Sequence, residues 1–351
     1  MADLAESDLP RRAGASPGHK RHEGDEGHKG YSSTALFVAG KLGGALVSLF
    51  AVVCTSFFLF RVIPGDPVRA MTHGRPVSVE QKEQMARDFG LDQPLIQQFF
   101  SYLAGVVRLD FGQSFQYNTA VTELLGQRLG PTLLLVGTSV VISAALGLSI
   151  GVNAAWRHGS MSDRVNTGVA LTLWSVPSFW LGLILIVVFA SGAGWFPTGG
   201  MQSPGVSGWQ LVPDVAHHMV LPVATLVAVL YAQYLMIMRS SLLEEMGGDY
   251  VITARAKGLR DVLVRRRHAV PNALLPSITL IFVNLGFVVF GSILVETVFS
   301  WPGLGNLFYE GLSVPDLPLV QGLFVFFSAS VILMNLLADL VYPVIDPRVR
   351  P

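Results

Sequence analysis

Charge is scarce in this sequence. Asp, Glu, Lys and Arg make up 14% of the 351 residues, against roughly 25% in an ordinary soluble domain. Too few charged side chains remain to coat a soluble protein of this length. The signs also balance, 24 basic against 24 acidic residues, so no overall basic field exists to gather nucleic acid. The single cysteine, Cys54, excludes an internal disulfide and any zinc site built from thiolates. There is no G-x-x-x-x-G-K-[ST] phosphate loop and no H-E-x-x-H pair. The chain therefore shows neither its own nucleotide site nor a zinc-protease site, and no catalytic residue is assigned.

What is abundant is apolar surface: 51% of residues are hydrophobic and the mean hydropathy is +0.51. A membrane-crossing helix needs about 20 mostly apolar residues. Six runs qualify, roughly at 36–60, 132–155, 167–191, 218–238, 277–298 and 320–343. The fold class expected is an all-α integral membrane protein with six transmembrane helices. Residues 1–35 are expected to form a disordered tail, because the first 30 hold few large aliphatic residues and many Gly, Pro, Ser and charges. His19, His22 and His28 lie in that tail, where nothing fixes a metal geometry, and no metal site is expected.

Orientation follows from Lys and Arg in the short connections. Arg11, Arg12, Lys20, Arg21 and Lys29 precede the first run. Arg157 and Arg164 follow the second, Arg239 through Arg267 follow the fourth, and Arg348 and Arg350 sit at the end. The connections 192–217 and 299–319 have none. Both termini, including 344–351, are thus expected in the cytoplasm. The connection 61–131 is expected outside, at about 70 residues too long for the charge rule to govern. It is not featureless. Ser78 and Gln81 form a capping-box pattern ahead of a helix ending near Gly90. Asp92 and Pro94 can open a second, apolar on one face.

Polar side chains inside the runs are few: Asn284, Glu296, Asn335 and Asp339. An intramembrane aspartyl protease needs two facing Asp at depth, and only Asp339 is available. Asn284 and Asn335 can either line a polar pathway or bond helix to helix. Trp301, next to Pro302 and Gly303 and a turn above Glu296, can cover a pathway mouth or serve in an aromatic belt.

The inner connection 239–275 is the most structured by pattern. Gly247–Gly248 break the helix leaving the fourth run. Asp249 can cap a short helix over 250–256, and Gly258 can end it. A short exposed helix between two long ones is a lever if it seats in another protein, or else an ordinary basic loop.

The stretch D-Y-V-I-T-A-R-A-K-G-L at 249–259 resembles the EAA loop of ABC-importer permeases. With Gly258 as anchor, Ile252-Thr253-Ala254 stand in the E-A-A places, without the Glu, and His268-Ala269-Val270-Pro271 in the I-x-L-P places. Further stretches are similar to the dipeptide/oligopeptide branch, in particular its B-type subunit. These are R-V-I-P-G-D-P (61–67), F-G-L-D-Q-P-L (89–95), S-V-P-S-F-W-L-G (175–182), W-F-P-T-G-G (195–200), E-T-V-F-S-W-P-G-L-G (296–305) and D-P-R-V-R (346–350).

The resemblance implies a type I ABC importer permease fold. It has a long structured first outer loop, with the core over 132–343, in a bacterial cytoplasmic membrane. It implies a second homologous permease, two ATPase subunits that carry the ATP and Mg, and an external binding protein that delivers peptide. No cofactor is implied on this chain. Asp249, Tyr250, Thr253, Ala254, Arg255, Ala256, Lys257 and Gly258 would couple it to the ATPase. Asn284, Asn335, Glu296 and Trp301 are the candidate pathway residues. The rival from another class is a self-sufficient ion- or proton-coupled carrier, and a scaffold is a weaker third. Permeases resembling this one serve dipeptides, oligopeptides, nickel, glutathione or haem, and the sequence does not choose among them.

Overall fold

The computed structural model describes residues 26–62, 78–88 and 92–345. Most of R-V-I-P-G-D-P, F-G-L at 89–91, Gly90, D-P-R-V-R, His19 and His22 lie outside them. Helix α1 covers Glu26–Val62. It starts inside the expected tail because adding turns to an existing apolar helix avoids the cost of nucleation. Helices α2 (Val79–Asp88) and α3 (Leu95–Val107) follow. The capping box of α2 is reciprocal: Gln81 N–H donates to Ser78 Oγ at 3.2 Å and Ser78 N–H to Gln81 Oε1 at 3.1 Å.

Helix α4 runs over Val121–Trp156, so residues 121–131, expected in the external connection, are the first turns of the helix that holds the second apolar run. Helices α5 (Met161–Trp174) and α6 (Ser178–Leu185, continuing as a π-helix over Ile186–Gly192) share the third apolar run. They meet at 97°, so the straight span expected over 167–191 is broken. Pro177 supplies the reason: it has no N–H to donate, and it pushes Val176 away from helical torsions. Helix α7 covers Leu211–Glu245. After it come α8 (Asp249–Ala256), α9 (Asp261–Val264), a π-turn at Arg265–Ala269 and α10 (Val270–Ala273). The fifth run is divided too, into α11 (Leu275–Gly291) and α12 (Ile293–Val298). Helices α13 (Leu304–Ser313) and α14 (Leu317–Ile345) complete the chain. Among the described residues, by length and composition, four helices can cross a membrane, or up to six if each bent pair counts as one span.

Apolar cores succeed one another along α4. At its start Val121, Leu124 and Leu125 meet Leu304, Leu307, Leu319 and Phe327. In its middle Leu135 meets Met219, Leu226, Val295, Phe299 and Trp301. At its end Ala155 meets Met238, Leu242, Val251, Ala254, Val264 and Ala273. Helices α4 and α7 approach closely because Gly151 faces α7, where a Cβ would stand 2.7 Å from the Leu235 carbonyl oxygen. The segment 110–120 is fastened to the other end of the chain. Asp316 accepts from Ser114 Oγ at 2.5 Å and Gln116 N–H at 3.0 Å, and Tyr117 OH donates to Glu310 at 2.5 Å. Burial, and then that carboxylate, push the Tyr117 phenol up to about 12, so it keeps its proton and keeps donating.

Candidate functional site

Helix α8 is held at both ends by backbone geometry. Gly248, and not Asp249 as expected, is its N-cap: the Gly248 carbonyl accepts from Val251 and Ile252 N–H at 2.9 and 3.2 Å. Asp249 is instead the first helical residue, placed where the helix dipole favours a carboxylate. At the far end Gly258 N–H donates to the Arg255 carbonyl at 2.9 Å and Leu259 N–H to Ala254 at 3.4 Å. Gly258 is left-handed, φ +77°. This is the Schellman arrangement, in which glycine is the residue without a Cβ penalty.

The helix has two faces. Val251 and Ala254 are buried in the core formed by Ala155, Met238, Leu242 and Val264. The small side chain at Ala254 is therefore needed inside this chain, not against a partner's groove, and a tryptophan there would split that core. Asp249, Tyr250, Ile252, Thr253, Arg255, Ala256, Lys257 and Gly258 are exposed. Tyr250 OH donates to Glu245, and Thr253 Oγ1 to the Asp249 carbonyl at 2.8 Å. Arg255 Nε lies 3.4 Å from Asp261 Oδ1, and the Arg255 and Arg265 guanidiniums stand 5.6 and 5.9 Å from the Trp156 ring centroid. On the neighbouring connection, Asp163 is buried between Arg239 Nε at 2.7 Å and the Gly159 N–H at 3.0 Å. That pairing ties the 157–160 turn to the end of α7.

The four candidate pathway residues do not form one site: the Trp301 N–H donates to the Glu296 carbonyl at 2.8 Å, while Asn284 and Asn335 lie elsewhere. Asn284 is buried on α11, its Nδ2 donating to Tyr234 OH at 3.1 Å and Gln233 Oε1 at 3.3 Å on α7. It borders a cavity of about 660 Å³ shared with Trp174, Gln233 and Ser240. Asn335 lies elsewhere, in a cleft of about 290 Å³ between α14 and the Gly40–Ser48 stretch of α1. In the same cleft Lys41 Nζ pairs with Asp339 Oδ2 at 2.8 Å.

Glu296 is fully buried and faces no opening. Its Oε2 accepts Gly305 N–H at 2.7 Å and Asn306 N–H at 3.1 Å, and its Oε1 accepts Thr132 Oγ1 at 2.9 Å and Ser292 Oγ at 3.2 Å. It thus satisfies free N–H groups of the first turn of α13. Trp301 is also fully buried, its indole N–H donating to the Pro131 carbonyl at 3.0 Å. Neither side chain is exposed in this structure, as a residue covering an opening would be. They lock α4, α12 and α13 together, because burying an indole and a carboxylate requires this number of partners. His217 and His218 likewise reach backbone carbonyls, of Trp195 and Asp214, each at 2.9 Å. Among the described residues no group of three or more His, Cys, Asp or Glu is placed to hold a metal ion.

Residues 147–351 match the family described as the binding-protein-dependent transport system inner membrane component, and residues 35–136 match its N-terminal membrane-component family. This chain belongs to that permease family. It is 36% identical over 333 residues to the dipeptide transport system permease protein DppB of Escherichia coli strain K12, spanning 90% of this chain and 98% of that protein. It is also 36% identical over 314 residues to the glutathione transport system permease protein GsiC of the same strain, again spanning 90% and 98%. The permease is the transmembrane subunit of an ABC importer, and the self-sufficient carrier is set aside. Its matched relatives are transport permeases.

Sequence reading missed four residues in the permease that the structure brings forward. Gln233 and Tyr234 sit in an apolar helix and are recognisable only once Asn284 is across from them. Thr132 follows a proline in a helix and gave no signal. Asp163 did give one: a lone carboxylate in a short basic connection calls for a cation, and Arg239 answers it.

Proposed function

We propose that this permease carries short peptides across a bacterial cytoplasmic membrane by alternating access. In this reading an external binding protein delivers the substrate, a second homologous permease completes the pathway, and two ATPase subunits supply the energy. The observation that carries it is the outward face of α8. A rigidly capped helix rooted in its own core presents Tyr250, Ile252, Thr253, Arg255, Lys257 and Gly258 away from the chain. A groove on an ATPase subunit is the occupant we assign to it. The names of the relatives, a dipeptide and a glutathione permease, support peptide as the substrate class. The Lys/Arg distribution supports cytoplasmic termini and an external 61–131 connection.

The cavity at Asn284 is the part of the proposed pathway on this chain. Its amides at Gln233 and Asn284 can pair with a peptide backbone, while Trp174 offers an apolar wall. Asn284→Leu leaves Gln233 and Tyr234 to pair with each other and strands a substrate contact. Uptake is then expected to fall by on the order of tenfold, the equivalent of one lost buried polar contact of about 1–3 kcal/mol. Assembly with the sister permease and ATPase stimulation should persist. If the variant instead fails to assemble, Asn284 only bonds α11 to α7 and the pathway assignment falls.

A further inference from the structure

Helix α3 is apolar on two sides, and the chain covers only one. Leu95–Val107 contains no Asp, Glu, Lys or Arg, and none of its residues is buried. Its inner side meets the end of α1. The Phe99 ring lies 5.2 Å from Phe57 and 6.0 Å from Phe58, and Tyr102 lies 5.6 Å from Phe57. The other side carries Ile96, Phe100 and Val107, which are 64%, 60% and 78% exposed. They fall in i, i+4, i+11 register, on one stripe of the helix.

Depth says what meets that stripe. The apolar segment of α1, Leu36–Phe60, is 25 residues long. It is about 37 Å at the helical rise, more than the roughly 30 Å of bilayer hydrocarbon. Phe57 and Phe58 lie in its last turn. Helix α3, packed on those rings, therefore crosses α1 where hydrocarbon gives way to headgroups, and does not stand above it in water. Phe50, Phe58 and Leu59 are exposed on α1 and continue the same apolar surface toward α3.

The end of α3 adds an independent observation. Asp110 N–H folds back to the Gly105 carbonyl at 2.8 Å, with Leu109 left-handed at φ +58°. Glycine or asparagine suits that position, and a leucine there is strained. Its side chain is nonetheless 65% exposed, so little packing of that side chain within the described chain offsets the strain, while its carbonyl accepts from Thr122 Oγ1 at 2.7 Å.

We propose that α3 is an interfacial helix, lying along the membrane with Ile96, Phe100, Val107 and Leu109 set among acyl chains just beneath the headgroups. Immersion explains the uncharged sequence, the exposed stripe and the strained leucine together. A soluble binding protein fits less well as the occupant. It docks and leaves, and between encounters the stripe would face water. The inference depends on the membrane placement of α1 and not on the coupling role of α8.

The test uses the complete transporter in vesicles of phosphatidylethanolamine and phosphatidylglycerol. Spin labels are attached singly at Ile96→Cys, Phe100→Cys, Val107→Cys and Leu109→Cys in a Cys54→Ser background. Val47→Cys on the exposed side of α1 is the lipid reference, and Ser78→Cys the aqueous one. Collision with oxygen relative to a water-soluble nickel chelate is expected to fall between the two references at all four positions, several-fold above Ser78 and below the deeper Val47. Chelate access like that of Ser78 would overturn the proposal. So would shielding from both reagents that disappears when the sister permease is left out, since protein would then be the cover. As a second measurement, Phe100→Trp fluorescence should be quenched by lipids brominated near the headgroup, and an unquenched signal would refute immersion.

Discussion

Gly258→Val is expected to leave the permease folded and inserted, yet reduce import about tenfold or more. The residue is left-handed at φ +77° and a Cβ there would touch nothing within 4 Å, so the core does not resist the change. The backbone does: a β-branched residue in this conformation costs about 1–2 kcal/mol or more. The cheapest relief is to unwind the last turn of α8, losing the Gly258 to Arg255 and Leu259 to Ala254 bonds. That turn carries Arg255, Ala256 and Lys257, part of the face assigned to the ATPase. A strain equal to one decade in an equilibrium constant is enough to uncouple the subunits. Gly258→Asn provides the control, since asparagine tolerates the left-handed region and should restore most of the import. The readouts are co-purification of the ATPase subunits and uptake by reconstituted vesicles. Normal import by the valine variant would remove α8 as the coupling element.

The second large effect is on the fold itself. Glu296→Ala removes the acceptor for Thr132, Ser292, Gly305 and Asn306 at once, and leaves a void in a sealed site. Each stranded buried donor costs about 1–3 kcal/mol. Allowing for relaxation, a total near 3–5 kcal/mol is expected, seen as loss of monodisperse protein in detergent and of chain from the membrane. Glu296→Gln should be much milder. Its carbonyl oxygen can still accept from the two backbone N–H groups, and the hydroxyls of Thr132 and Ser292 can turn to accept from its amide. A pathway carboxylate would behave differently: alanine would leave a stable protein that fails only in transport. That result would make Glu296 a transport residue and not a helix cap.

Much of this molecule is legible locally. Gly258 announced a helix end because one residue type fits one backbone conformation. The burial of Val251 and Ala254 follows from their i, i+3 spacing, although sequence could not say that they face this chain and not a partner. The 97° bend was written in Ser175–Val176–Pro177, but an unbroken apolar run from 167 to 191 outweighed it. Hydropathy averages over the very residues that kink a span. Glu296 and Trp301 were misplaced for another reason. Their roles depend on Thr132 and Pro131, more than 160 positions away in sequence. A buried carboxylate that caps a distant helix looks the same in sequence as one that lines a pore. Asn284 and Asn335 likewise share a residue type and a depth, but only the fold assigns one to α7 and the other to the Lys41–Asp339 cleft.

The central claim is that this chain is a conduit energised from outside itself. The most direct measurement is labelled dipeptide uptake into vesicles holding both permease subunits, with binding protein and dipeptide supplied outside. The ATPase subunits are present with internal ATP, or left out with an imposed proton or sodium gradient. The expected result is uptake only with the ATPase subunits, ATP and binding protein all present, and none from either gradient. Accumulation by the permease pair alone, driven by a gradient, would contradict it.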